Sequence, residues 1–339
     1  MLFLITVSSI TVMAQNKTEK QPYLTKSFSS EKITNIVSET SGGNIMVESS
    51  SAPHVDVFVT GNGKNRNLSN DQLKSSVEND YDLTVAVNNG TLTASAKPKH
   101  RFTNWNNALS FSFHIYSPSN VSTKLNTSGG NIQLSGLSGD QDFSTSGGNL
   151  VLNELTGQVK GRTSGGNIYL KNCKNELNLS TSGGNIMGKD CSGKIILSTS
   201  GGSIQLKNLD GTTNASTSGG NIEAESIKGE LAASTSGGNV SLQKLSCSLK
   251  ASTSGGNIDV SIQTPGKYVS INNSAGQVHL TIPKNTGMDL KLSAMKISTQ
   301  NLQNFSGTNN KDEIKGTVNG GGIPVTVDAG GGRLEVVFD

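Results

Sequence analysis

The sequence predicts an all-β protein, a single-stranded parallel β-helix (β-solenoid) with 18-residue coils and irregular β caps at both ends. The hexapeptide Thr-Ser-Gly-Gly-Asn-Ile recurs at a strict 18-residue interval, and hydrophobic residues alternate around it. The first glycine of each pair is Gly129, Gly147, Gly165, Gly183, Gly201, Gly219, Gly237 and Gly255. A fixed period of roughly 20 residues is typical of solenoids, in which each coil stacks on its neighbours.

The N-terminus is typical of an exported protein. An apolar stretch that ends in Val12-Met13-Ala14 precedes polar residues, which predicts a signal peptide over 1–14 cut after Ala14, followed by a linker over 15–29. A buried first strand is the alternative. The predicted location is therefore the periplasm, the cell surface or the extracellular space.

Residues 30–122 are predicted to form an irregular N-terminal β region that caps the solenoid. This region contains one isolated copy of the hexapeptide, Thr40 to Ile45. Alternating apolar residues predict strands at 55–60, 83–87 and 109–116, with polar loops near 61–71 and 97–107.

The regular coils are predicted over 123–274, and we number their positions 1 to 18 from the first glycine of each pair. Positions 4, 6, 9, 13 and 15 carry mostly hydrophobic residues and are predicted to face inward. The same alternation points the threonines of position 17 inward and the serines of positions 16 and 18 outward. These threonines are Thr145, Thr163, Thr181, Thr199, Thr217, Thr235 and Thr253.

Polar and glycine residues mark the corners of each coil. The glycine pair at positions 1 and 2 is expected to supply the backbone angles of a tight corner, and glycine at position 11 marks a second corner. Asparagines at position 3 are expected to form a ladder of amide hydrogen bonds, with a gap at Ser203. The asparagines are Asn131, Asn149, Asn167, Asn185, Asn221, Asn239 and Asn257.

The regular interval ends after Gly256. The next small-residue corner, Ala275-Gly276, comes two positions later than the period requires, and glycine-rich corners return near 319–323 and 329–334. We therefore predict degenerate coils and a C-terminal cap over 275–339.

The potentially reactive residues do not predict an enzyme, a metal or a cofactor. Cys173 and Cys191 share one position in adjacent coils, which favours two buried thiols over a disulfide, because stacked side chains hold the Cβ atoms too far apart. Glu223 and Glu225, about 6.6 Å apart along a strand, could act on a glycoside. An ion pair between Glu225 and Lys207 is the simpler interpretation.

Two groups of residues are candidate partner contacts. Lys171, Lys189 and Lys207 form a column that could bind an anionic polymer such as an acidic polysaccharide, although a solvated face with nearby Asp190 and Asp210 is the alternative. Arg101 and Trp105 are predicted to lie in a polar loop, where they could contact a partner or pack against the cap.

The charge of the chain argues against a nucleic-acid partner, and its hydropathy argues against a transmembrane span. The net charge is +3, from 28 basic and 25 acidic residues, and no basic run is present, so nucleic acid is not an expected partner. No transmembrane span is predicted, because no apolar stretch of the sequence approaches the length of about 20 residues that crossing a bilayer as a helix requires.

The signal peptide, Ser117-Pro118-Ser119-Asn120 before the repeats, the hexapeptide itself and the closing Gly-Gly-Gly-Ile-Pro-Val together resemble a bacterial family. This family comprises exported β-strand-repeat proteins, called putative adhesins, with a domain of unknown function, and the resemblance covers roughly 30–339. It implies an exported, adhesin-like protein. The repeated positions are polar, neutral and regular, which favours a non-enzymatic structural or binding protein of the cell envelope, with cell-surface glycans or envelope proteins as partners. The family has no defined ligand residues, so the resemblance assigns no role to any individual residue of this chain.

Two other functions stay open at this point. Parallel β-helices also carry carbohydrate-active enzymes, so a polysaccharide lyase or hydrolase is one alternative, by analogy of fold alone. An accessory protein that senses envelope stress or a surface is the other.

Overall fold

The computed structural model describes residues 21–100 and 108–339. Within them, 28 strands, one α-helix and one short 3₁₀ helix build an all-β structure with a single, nearly closed sheet. The expected all-β class is therefore confirmed. The predicted signal peptide, Arg101 and Trp105 lie outside the described residues.

The N-terminal region contains seven strands and both helices. The strands are β1 (Leu24–Ser27), β2 (Asn35–Thr40), β3 (Ile45–Ser49), β4 (His54–Gly61), β5 (Tyr81–Asn88), β6 (Thr91–Pro98) and β7 (Leu109–Ser117). A 3₁₀ helix (Gly63–Asn67) and α1 (Asn70–Asp80) lie between β4 and β5, so the loop expected near 61–71 is wrong. Ser69 and Gln72 form a capping box that starts α1, and Val77 is its buried residue.

The regular repeats contain the next twelve strands. They are β8 (Ser122–Thr127), β9 (Ile132–Ser135), β10 (Gln141–Ser144), β11 (Leu150–Asn153), β12 (Thr156–Arg162), β13 (Ile168–Lys171), β14 (Lys174–Ser180), β15 (Ile186–Lys189), β16 (Ser192–Ser198), β17 (Ile204–Ser216), β18 (Ile222–Ser234) and β19 (Val240–Thr253). Equivalent strands pair in parallel with a register of one full repeat, as in Ile168 with Ile186 and Ile186 with Ile204.

Inward positions form one hydrophobic core along the sheet. Ile168, Leu170 and Leu177 are buried, as the alternation predicts. At position 15, the large side chain of Phe143 in one repeat packs over Gly161 in the next. A Cβ on Gly161 would lie only 2.2 Å from the Phe143 ring. A large side chain in one repeat thus fills the space that glycine leaves in the next.

The threonines of position 17 are buried and join consecutive repeats. The Oγ1 of Thr181 donates to the carbonyl of Gly166 at 2.8 Å and accepts the N–H of Gly184 at 3.2 Å. Thr145, Thr163, Thr199, Thr217, Thr235 and Thr253 make the same two bonds in their own repeats. One hydroxyl therefore satisfies two buried backbone groups at each glycine corner.

The second glycine of each pair is needed for close approach of two backbones. A Cβ on Gly184 would lie 1.9 Å from the carbonyl oxygen of Gly166, whereas one on Gly183 would meet only Ser164 O at 3.7 Å. Neither residue has a positive φ. The expectation that the pair supplies special corner angles is therefore wrong; stacking distance requires glycine at position 2.

The asparagines of position 3 also join consecutive repeats, but through the backbone. The Oδ1 of Asn167 accepts the backbone N–H of Asn185 at 2.8 Å, instead of pairing with another side-chain amide. The expected gap at Ser203 is wrong, because its Oγ accepts the N–H of Asn221 at 3.1 Å. A hydroxyl replaces the amide oxygen there, so the series continues.

The isolated hexapeptide belongs to this stack. β3 pairs in parallel with β9, placing Ile45 beside Ile132, and Asn44 Oδ1 accepts the N–H of Asn131 at 2.8 Å. On the side away from the repeats, β6 pairs in parallel with β2, and β7 pairs in parallel with β3. Antiparallel β5 and β4 then cover β6 and β7, and β1 pairs with β4.

The C-terminal region contains nine strands and does not follow chain order. They are β20 (Ile258–Ile262), β21 (Val269–Asn273), β22 (Val278–Ile282), β23 (Met288–Ser293), β24 (Lys296–Gln300), β25 (Phe305–Asn309), β26 (Glu313–Val318), β27 (Ile323–Asp328) and β28 (Arg333–Phe338). β27 lies between β21 and β23, and β28 between β22 and β24. The last two strands are thus inserted between strands that precede them, and antiparallel β26 and β25 cover β23.

Candidate functional site

A groove of about 970 Å³ runs across six repeats on the outer face of the strands that carry positions 4 to 7. Position 6 points inward, so the side chains of positions 5 and 7 form two walls. The position 5 wall is Val151, Tyr169, Met187, Gln205, Glu223 and Ser241. The position 7 wall is Asn153, Lys171, Lys189, Lys207, Glu225 and Gln243.

The first wall is apolar over three repeats. Tyr169 and Val151 are half-buried, and Met187 is 41% exposed, so the three neighbours together leave an apolar patch on the surface. Asn167 Nδ2 donates to the Tyr169 hydroxyl at 3.2 Å and so restrains the ring. This wall offers a hydrophobic surface one side chain wide.

The lysine column forms the opposite wall, and its last member is paired. Lys207 Nζ lies 2.8 Å from Glu225 Oε2, so the ion pair expected from the sequence is confirmed. Lys244 Nζ, which sequence analysis missed, lies 2.7 Å from Glu225 Oε1. Hydrogen bonds from Lys207 and Lys244 lower the pKa of Glu225 to about 2.

The other two lysines are less constrained. Lys189 Nζ lies 3.7 Å from Asp190 Oδ2, and the same carboxylate accepts a 2.9 Å hydrogen bond from Asn208, which with Lys189 lowers its pKa. Lys171 makes no salt bridge within the described chain. Asp210, which was expected to soften the charge, is also without a salt bridge in that part. The positive charge of Lys171 and Lys189 is therefore only partly compensated, by Asp190, whose pKa both lysines lower.

Position 8, beside the lysine wall, has a left-handed backbone that sequence analysis did not identify. The φ angles there are +54° to +59° in residues other than glycine. These residues are Glu154, Asn172, Asp190, Asn208, Ser226 and Lys244. Asn and Asp tolerate this conformation best, so their frequency at position 8 was the available signal. The turn brings Lys244 into the groove lining and places Asp190 beside Lys189.

The carboxylates considered for catalysis are occupied by neighbours. Gln205 Nε2 donates to Glu223 Oε2 at 3.2 Å, and Glu225 is held by two lysines. A glycosidase needs one carboxyl group whose pKa is raised, so that it can act as an acid. The low pKa of Glu225 excludes the acid role for that residue, and lysines bind both of its oxygens.

The cysteines are buried free thiols. Each thiol of the adjacent pair donates to a carbonyl of its own repeat, Cys173 to Lys171 and Cys191 to Lys189. Hydrogen bonding with Cys173 and burial raise the pKa of Cys191, and burial raises that of Cys247 to about 12. Among the described residues, no cluster of His, Cys, Asp and Glu could hold a metal ion.

A second polar and aromatic surface lies on the N-terminal strands. His54 stacks on Tyr116 with ring centroids 4.2 Å apart, and Phe58 contacts His114 at 4.6 Å. Burial lowers the pKa of His114. This grouping follows from antiparallel pairing of β4 with β7, for which the sequence carries no repeat signal.

No helix in the described ranges is long and apolar enough to cross a membrane. No protein-family model matches the sequence, and no curated protein is significantly similar to it. A solved structure described as a putative cell adhesion protein from Clostridium sporogenes is similar at 10% identity. That match covers 93% of this chain and 98% of the other, with a TM-score of 0.20.

Proposed function

We propose that this chain is an exported, non-enzymatic binding protein of the cell envelope. In this proposal the chain is a parallel β-helix with adhesin-like function, and the groove is its partner site. The observation that carries the proposal is the combination of an apolar wall and a lysine wall along one face of stacked repeats. Apolar area with a few fixed polar groups is the usual composition of binding sites.

The groove is suited to holding a partner rather than to chemistry. Its carboxylates are hydrogen-bonded or ion-paired, and its lysines are solvated side chains at strand positions. A stack of parallel strands also keeps the walls in fixed register, because every repeat is bonded to the next. Rigid presentation of a long surface favours recognition of an extended partner.

Retention on envelope material tests the proposal. The protein without residues 1–14 is expected to bind whole cells, isolated glycans or peptidoglycan, and Y169A/M187A is expected to lose most of this retention. Lys160→Ala/Lys250→Ala alters exposed residues at position 14, which do not line the groove, and is expected to retain binding. Absence of retention on every such surface, or equal retention by the groove variant, would overturn the proposal.

Export has a separate test. Cleavage after Ala14 is expected to give a secreted protein that starts at Gln15, which N-terminal sequencing would identify. Recovery of the uncleaved chain from the cytoplasm alone would contradict export.

A further inference from the structure

The groove has two chemically different walls, apolar over three repeats and lysine-bearing over two of them. Val151, Tyr169 and Met187 present apolar surface, while Lys171 and Lys189 present ammonium groups across from it. A ligand that uses both walls must be apolar on one side and anionic on the other. This excludes a uniformly apolar chain and a small inorganic anion as the best fit.

The charges lining the groove favour an anionic ligand at one end. Four lysines and two glutamates line it, and both glutamates belong to one repeat, at Glu223 and Glu225. Lys207 and Lys244 bind Glu225. Lys171 makes no salt bridge in the described ranges, and Lys189 only a 3.7 Å contact with Asp190. Asp190 interacts with both of these lysines and offsets part of their charge, so the positive charge beside Tyr169 and Met187 is only partly compensated.

The spacing of the repeats favours a polymer. Parallel neighbours in a sheet are about 4.8 Å apart, so six repeats span about 24 Å between the first and last strands. Lys171 and Lys189 belong to adjacent paired strands and so repeat at this distance. A single acid would use one lysine and leave most of the groove empty, whereas a linear chain along the stack can meet each repeat.

We propose that the groove binds a linear glycan whose sugar rings carry carboxylates, lying along the stack of repeats. The C–H faces of the rings pack on Tyr169 and Met187, and the carboxylates pair with Lys171 and Lys189. Side-chain amides at Gln205 and Asn153 are placed in the walls to bond sugar hydroxyls. This inference rests on the proposed function and names the ligand class of the same site.

Titration with polygalacturonate, a linear polymer with one carboxylate on each ring, tests the inference. We expect calorimetric binding that weakens as salt rises, because exposed ion pairs are screened. The fully methyl-esterified polymer has the same backbone without charge and is expected to bind at least tenfold more weakly. K171A/K189A is expected to lose a similar factor, and Y169A to lose about tenfold for both polymers.

Matched controls separate this site from general charge attraction. Lys160→Ala/Lys250→Ala removes the same charge from position 14, outside the groove lining, and is expected to leave binding within twofold of the original. Circular dichroism establishes that each variant is folded. Equal loss in the control variant, or equal affinity for the esterified polymer, would overturn the inference.

The remaining outcomes distinguish the ligand class from the proposed function. Groove-dependent retention on envelope material without binding to polygalacturonate would overturn the acidic glycan and leave the proposed function standing. Binding to vesicles of anionic phospholipid, but not to the polymer, would also overturn it and assign the site to a lipid surface. Absence of both envelope retention and polymer binding in the unsubstituted protein would overturn both proposals.

Discussion

The regular repeats and the C-terminal region belong to one sheet, but their strands are ordered differently along it. In the repeats, a residue pairs with its equivalent in the next repeat, as Ile204 does with Ile222. Near the C-terminus, Val278 pairs with Leu334, which lies about three repeat lengths further along the chain. The first region grows by local additions, while the second is complete only when β27 and β28 are inserted between earlier strands.

The two regions nevertheless share their corner contacts. Asn273 replaces the threonine of position 17, donating to Gly256 O at 3.0 Å and accepting the N–H of Gly276 at 3.1 Å. A Cβ on Gly332 would lie 1.9 Å from Gly276 O, as in the repeats. The difference therefore lies in the order of strands and not in how one layer contacts the next.

The largest expected difference in stability is between a protein that lacks one repeat and a protein that lacks the inserted strands. Deleting residues 323–339 takes away β27 and β28 and leaves β21 to β24 without their shared partners. We expect loss of cooperative unfolding and aggregation through open strand edges. Deleting residues 183–200 removes one whole repeat, and we expect a folded protein with moderately lower stability.

Thermal unfolding by circular dichroism, together with size-exclusion chromatography, measures both deletions. The deletion of 183–200 rejoins Ser182 to Gly201, which preserves the order of positions. If the C-terminal deletion unfolds at the original temperature, β27 and β28 do not complete the sheet. If the repeat deletion fails to fold, the repeats are not interchangeable units.

The next effect tests close approach inside the repeats. Gly184→Ala places a Cβ 1.9 Å from Gly166 O, and this contact is with backbone that cannot rotate away. We expect a loss of about 3 kcal/mol or more in the free energy of unfolding, at the upper end for overpacking. Gly183→Ala meets Ser164 O at 3.7 Å and is expected to change stability by less than about 1 kcal/mol.

Urea-induced unfolding of the two alanine variants gives this comparison directly. Similar losses at Gly183 and Gly184 would show that a property of both glycines, such as backbone freedom, matters more than the distance between layers.

Much of the repeat region was predictable because two periods coincide there. Alternation along a strand and recurrence from one repeat to the next together place Ile168 and Thr181 in the core, where both are buried. The Lys207–Glu225 pair followed from the same register. Lys244 did not, because its position depends on the left-handed backbone at position 8 and not on strand alternation.

The ends were less predictable because their contacts have no period. Val278 pairs with Leu334, and no repeated pattern in the sequence relates the two segments that contain them. Helix α1 was missed because it is mostly polar and buries Val77 without a clear apolar stripe. The apolar wall was missed because Tyr169, Val151 and Met187 differ in type and become a surface only when stacked.

A smaller difference in stability is expected between two hydrogen-bond acceptors at position 3. Asn185→Ala removes the acceptor of a 2.8 Å bond from the Ser203 N–H, and Ser203→Ala removes that of a 3.1 Å bond from Asn221. Each loss is expected to cost about 1 kcal/mol or less, and more for Asn185 because its bond is shorter. Ser203→Asn is expected to be neutral or slightly stabilising, since it restores the amide of the other repeats.

Urea unfolding with all three variants resolves these differences. Equal losses at Asn185 and Ser203 would contradict a dependence on bond length. Strong destabilisation by Ser203→Asn would show that this repeat has no room for the larger side chain.

The smallest effect concerns charge, which the repeats carry on their surface and not in their interlayer contacts. The pKa of Glu225 is about 2, below its ordinary 4.5, because Lys207 and Lys244 bind it. Its contribution to stability is therefore present above about pH 4.5 and is lost as the pH falls from 4.5 towards 2. We expect only a slight change in the unfolding midpoint over that range, because the pair is solvent-exposed.

NMR titration of the Glu225 carboxyl group in Lys207→Met/Lys244→Met is expected to show a pKa raised towards 4.5, with Lys160→Met as the unaffected control. A pKa that stays near 2 would assign the shift to something other than these lysines. A steep loss of stability between pH 4.5 and 2 in the double variant would show that other carboxylates carry the acid sensitivity. The expected shallow response instead follows if the threonine and asparagine contacts, which do not titrate, hold the repeats together.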